Sequence, residues 1–227
     1  IYLNNGAVFD NQAGATFDIQ TDSWMDISSG SGSNFNNAGT LTKSAGSGTA
    51  TFDVAFNNSG TVNVNSGTLE LSHNGSHTGD FTIAAGSVLK FSRGTDSLDG
   101  VTFSGDGTVE ITTFGSYYSA VNTTGSGATV SGSTTLDMSG GVLGGDGPMT
   151  VNGTFNWSGG TIKGTGAFTV NSPLNISGSS NKYLSGRTLT NKGTTTWTGT
   201  GRIYLNNGAV FDNQAGATFD IQTDSWM

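Results

Sequence analysis

The sequence predicts an all-β protein wound as a parallel β-solenoid, and three observations predict it. A short apolar phrase recurs about nine times within a period of 202 residues, roughly once every 22 residues. Within each phrase the apolar residues alternate over two or three positions, the period of a half-buried strand and not of a helix. Gly-rich corners bound each phrase, so the strands are short and the chain turns often. Segments of that length, each with two or three short strands, suit one coil of a solenoid in which every coil stacks on the last.

The phrase is legible from end to end. It reads FDNQAGATFDI from Phe9, FNNAGTLT from Phe35 and FNNSGTVNV from Phe56. It continues as FTIAAGSVLKF from Phe81, VTFSGDGTVEI from Val101 and MTVNGTFNW from Met149. FTVNSPLNI from Phe168 and LTNKGTTTW from Leu189 complete the series, with a degraded copy at Leu136-Asp137-Met138. Phe, Val, Leu, Ile and Trp are expected to fill the interior, and Thr and Asn to line outer faces and corners. Asn58, Asn152 and Asn191 are candidates for side-chain amide ladders between stacked coils. Stretches without the phrase, 23–33, 72–79 and 114–128, are expected to be loops. No window carries a helical stripe, because Gly interrupts nearly every one.

A longer period contains this one. Residues 1–25 recur without a change as residues 203–227. Chance does not produce such an identity, which leaves two origins: a tandem array kept alike by recent or continual duplication, or a segment added by engineering as a matching end, of which the array is favoured. The chain is therefore expected to be one continuous solenoid over residues 1–227. Residues 1–202 form one long unit and 203–227 the start of the next. It begins and ends in mid-pattern, as a window cut from a tandem array would.

Composition narrows the function. Gly, Thr, Ser and Asn make up more than half of the 227 residues, while charged residues are only 11%, against about 25% in an ordinary globular protein. The 13 Phe, 5 Tyr and 4 Trp argue against disorder. The net charge of −8 gives no basic stripe for a phosphate backbone, so no nucleic-acid partner is expected. No apolar run reaches the roughly 18 residues of a membrane span. The chain has no Cys, which removes disulfides and thiolate metal sites.

Candidate sites are few. His73 and His77 form H-x-x-x-H with Asp80 nearby, but on a turn-rich stretch that reads as solvated loop. Asp96, Asp99 and Asp106 read as acidic corners that keep the surface soluble; a catalytic reading would need a carboxylate pair on one face. Gly-Asp-Gly at 105–107 and Gly-Gly-Asp-Gly at 144–147 resemble calcium turns without the repetition that builds a calcium site, so turn chemistry is expected and no cofactor is called for. Trp157 and Trp197 end their phrases and belong in the core. Tyr117 and Tyr118 are the aromatic residues nominated as exposed ligand contacts. No enzyme activity is expected.

The stretches FNNSGTVNVNSGTLEL (56–71), MTVNGTFNWSGGTIKGTGAF (149–168) and NISGSSNKYLSGRTLTNKGTTTWTGTG (175–201) resemble the repeats of filamentous-haemagglutinin-like adhesins and autotransporter passengers of bacterial surface proteins. That resemblance implies a right-handed parallel β-helix, export to the cell surface or beyond it, and a structural fibre, stalk or sheath role. Identical repeats stacked end to end are then the expected partners. The alternative expectation is an adhesin module that binds glycans or matrix through protruding loops.

Overall fold

The computed structural model describes residues 1–224, and the side chains of Phe114 and Tyr117 lie outside what it describes. Every regular element among the described residues is a β-strand. The chain makes about ten turns of roughly 21 residues each. Each turn lays one strand on each of three faces. The first face runs from Val8–Asn11 through Asn34–Asn37 and Ala55–Asn58 to Ile203–Asn206. The second runs from Thr16–Ile19 to Val210–Asn213. The third, from Trp24–Met25 to Thr218–Ile221, is a separate sheet of ten strands. The first two faces join because Gly94–Ser104 and Tyr117–Val130 run round the corner between them.

Strands on one face pair in parallel with their counterparts one coil on, so like side chains stack. Inward apolar residues give the core: Phe35, Leu41, Leu69, Phe81, Phe103, Trp157 and Leu189 are among its fully buried members. Phe9, Phe35 and Phe56 stack along the first face with centroids 4.9 and 5.7 Å apart, an arrangement worth about 1 kcal/mol per pair beyond the area it buries. Asn11, Asn37 and Asn58 form a buried amide ladder beside that column, each donor reaching the next side-chain oxygen at 2.7 and 2.8 Å. Asn191 donates in the same way to Asn213, whereas Asn152 accepts from Asn171 on the exposed surface. Two of the three predicted ladder residues thus lie inside, at the ends of strands.

Corners bring backbones closer than a side chain allows. Gly105 has φ +94°, and a Cβ there would lie 2.1 Å from the carbonyl oxygen of Ile83 in the coil beneath. Only glycine fits.

Three stretches expected as loops contain strands. Trp24–Met25 lies within 23–33, Gly75–His77 within 72–79, and most of 114–128 belongs to Tyr117–Val130. They lack the phrase because their inward positions carry residues other than a repeated aliphatic pair, while the neighbouring coils still supply the pairing. The one excursion there is a small antiparallel pair, Thr113–Phe114 against Tyr117 and Tyr118, which stands out from the parallel stack.

The duplicated segment takes the same local structure twice. Asn5 and Asn207 both have φ 55°, and they are the described non-glycine residues in the left-handed region. Phe9 meets Phe17 edge to face at 5.2 Å, and their copies Phe211 and Phe219 meet at 5.0 Å. The two copies differ in placement. Val8–Asn11 lies on the first face, and its copy Val210–Asn213 on the second. Thr16–Ile19 lies on the second face and its copy Thr218–Ile221 on the third.

Candidate functional site

The nominated residues do not form one site. Tyr118 stands on the antiparallel excursion with 74% of its surface exposed. Its neighbour Tyr117 pairs with Phe114 through the backbone, and its side chain lies outside the described part of the structure. Trp157 and Trp197 are buried. Among the described residues no group of three or more His, Cys, Asp and Glu is placed to hold a metal ion.

His77 and Asp96 overturn their surface reading. His77 occupies the inward row between Asn58 and Leu98, fully buried, and its Nε2 lies 3.0 Å from Asp96 Oδ1. Asp96 is 1% exposed, and burial pushes its carboxyl above the ordinary value of 3.8, with His77 opposing the rise. Asp96 Oδ2 and His77 Nδ1 have no partner. The sequence hid this pair because Asp96 sits in GTDSLDG, which reads as a turn. His73 stays half-exposed at a corner, where its Nδ1 accepts from the Asn74 amide. Asp99 and Asp80 accept backbone amides from the next coil, and Asp106 is exposed.

The outer row of the third face carries both glutamates of the chain. Glu70, Lys90, Glu110, Asp137, Asn156 and Asn175 follow one another in register. Lys90 stands 3.8 Å from Glu70, and Asn175 donates to Asn156, which donates to Asp137 at 2.6 Å. Glu110 and Asp137 are therefore the neighbouring carboxylates that a catalytic reading asks for, on a flat, polar and partly exposed strip. At its start Trp24, 63% exposed, borders a 120 Å³ groove with Asp53, Glu70 and Arg93. Sequence reasoning passed over Trp24 because it lay in a supposed loop.

The largest apolar feature is the end of the solenoid. Among the described residues every exposed large hydrophobic side chain except Tyr118 lies in one of the two duplicated segments. On the first coil a cavity of about 390 Å³ opens between Phe17, Ile19, Trp24, Met25 and Phe52. The copy of Ile19 is Ile221, and Ile221 pairs with Trp197 of the preceding coil. The first coil thus presents a hollow beside Ile19, whereas the copy of that residue pairs with the strand that carries the buried Trp197. The far end shows the complement. Asn11 donates to Asn37 at 2.7 Å and to the Thr40 carbonyl, whereas its copy Asn213 donates within its own coil, to the Ala217 carbonyl at 3.4 Å. No family model, curated protein or solved structure matches the chain.

Proposed function

We propose that this chain is a stretch of a tandemly repeated extracellular solenoid whose function is mechanical, as a fibre, stalk or sheath element. Each coil passes load to the next through parallel backbone pairing on three faces, and the thin apolar core needs no cofactor. The observation that carries this reading is the duplicated coil. One copy has its preceding side covered, the other its following side, and both keep the same turns and the same Phe–Phe contact. A segment that fits on both sides can be repeated without end. The surface location rests on the likeness of its repeats to those of bacterial adhesins and passengers.

The denatured mass of the polypeptide from its natural source tests this reading. A mass many times 23.1 kDa is expected; a mass near that value overturns the covalent array. The second reading, a glycan-binding adhesin, is favoured by Tyr118, the exposed aromatic side chain that lies outside the two duplicated segments. Binding to immobilised glycans that disappears in Tyr118→Ala would support it.

A further inference from the structure

The duplicated coil returns one face further round the solenoid, and this fixes how units join. Between Val8 and Val210 the chain lays down twenty-eight face segments, counting the two corner-crossing strands twice and setting aside the Thr113–Phe114 excursion. Nine complete coils would use twenty-seven. The unit is therefore nine and a third coils long, in place of the nine whole coils that its phrases suggest.

We infer that successive copies of the 202-residue unit join end to end with each copy advanced by one face, so that three units restore the original orientation. This rests on the tandem-array reading and specifies its joint. The occupant of each end is a second copy of the unit, and the structure supplies both halves of the contact. Residues 203–221 sit on Lys182–Ser185, Thr188–Asn191 and Thr194–Trp197, in register on all three faces. Their originals, residues 1–19, meet the next coil at Asp26 through Tyr2, at Asn34–Asn37 and at Thr40–Lys43.

Laying one set on the other gives a joint with its polar groups matched. The ladder runs Asn191 to Asn213, then through the positions of Asn37 and Asn58 in the next unit. Trp197 fills the hollow beside Ile19, and the inward parity of Phe9 and Phe17 is kept by Phe211 and Phe219. The turn at Asn5-Gly6, between the third and first faces, becomes the turn at Asn207-Gly208, between the first and second, with the same left-handed angles. The corners are interchangeable, which is what a one-face advance requires.

The consequence is a surface pattern. The excursion bearing Tyr118 lies at the corner from third to first face in one unit, at the next corner in the following unit, and at the remaining corner in the one after. With coils about 4.8 Å apart, units rise by ~45 Å and each corner bears an excursion every ~135 Å. A fibre so built presents the same contact group on three sides.

The test is an array of four units closed by residues 203–227, with Ser116→Cys in every unit. The chain has no cysteine of its own, so a maleimide–biotin label at that exposed turn and streptavidin mark each excursion. Cryo-electron microscopy is expected to show one continuous rod with marks ~45 Å apart on successive corners. Marks in a single line along one corner of a continuous rod would overturn the one-face advance and leave the tandem fibre standing. A rod interrupted at every unit boundary, labelled or unlabelled, would overturn the joint. The native polypeptide mass separately decides whether the covalent array exists.

Discussion

At the residue scale the most informative group is the buried pair His77–Asp96, with the His77 ring set among Phe56, Phe81 and Phe91. Removing the partner of a buried carboxyl leaves that group unsatisfied and typically costs about 1–3 kcal/mol. His77→Leu takes away the one hydrogen-bond partner that the Asp96 carboxyl has among the described residues and should destabilise by about that much. Asp96→Asn leaves a neutral oxygen for His77 and no charge to bury, so it should be close to neutral or stabilising near pH 7. The sign follows from burial. The folded carboxyl lies above its unfolded value of 3.8, so between the two the native state binds more protons and stability falls as pH rises. Asp96→Asn should flatten that fall, and urea denaturation from pH 4 to 8 compares the slopes. A steeper slope in the variant would sink the assignment. Such residues are where the sequence is least legible: an Asp between Thr and Ser in a Gly-bounded stretch looks like a corner, and only the register of Gly75–His77 against Gly94–Ser104 turns it inward.

At the element scale the phrases placed most strands correctly, because alternation is set by a dry inside and a wet outside and survives in four residues. Stretches without a phrase look like loops in the sequence, but parallel pairing with a neighbouring coil holds a strand whose own residues signal it weakly. Arg187 shows how a corner is held. Fully buried, it donates from Nε to the Gly166 carbonyl at 2.7 Å, from Nη1 to Lys163, and from Nη2 to Gly147 and Ala167, across three successive coils. Its guanidinium also lies 5.2 Å from the Phe168 ring centroid. Burial lowers its pKa to about 10, so it stays charged in folded and unfolded chains at neutral pH. Lysine has one nitrogen and cannot span these carbonyls. Arg187→Lys should cost about 3 kcal/mol, the loss of two hydrogen bonds to a charged group. Amide exchange checks it locally: protection should drop at 182–191 and 160–170 and hold at 34–64. A uniform drop would deny the corner role. Asn37→Ala cuts the amide ladder, leaving Asn11 with its bond to the Thr40 carbonyl alone and the Asn58 side-chain oxygen without its donor, and should cost about 2 kcal/mol by urea denaturation. A change under a few tenths would make the ladder incidental.

At the scale of the whole molecule stability is a sum of coil and neighbour terms, and the ends are where a solenoid is unfinished. Residues 203–221 cover the edges of the strands at 182–197 within the chain itself, so the 227-residue chain carries its own cap at that end. Removing residues 203–227 exposes those edges, including Trp197 and Asn191, while the matching coil remains at residues 1–25. The free edge of a sheet recruits whatever strand fits it, and here the fitting strand is the other end of an identical chain. The 202-residue unit is therefore expected to associate head to tail as concentration rises, while the 227-residue chain associates far less. Sedimentation velocity over a hundredfold concentration range distinguishes them, with β-sheet circular dichroism confirming that both are folded. A folded 202-residue unit that stays monomeric throughout would mean that the two ends do not recognise each other, and the joint would then need the covalent link to form. A rise in oligomer size reversed by adding the isolated 203–227 peptide would identify the edge as the contact, because that peptide carries the strand set already seen to occupy it.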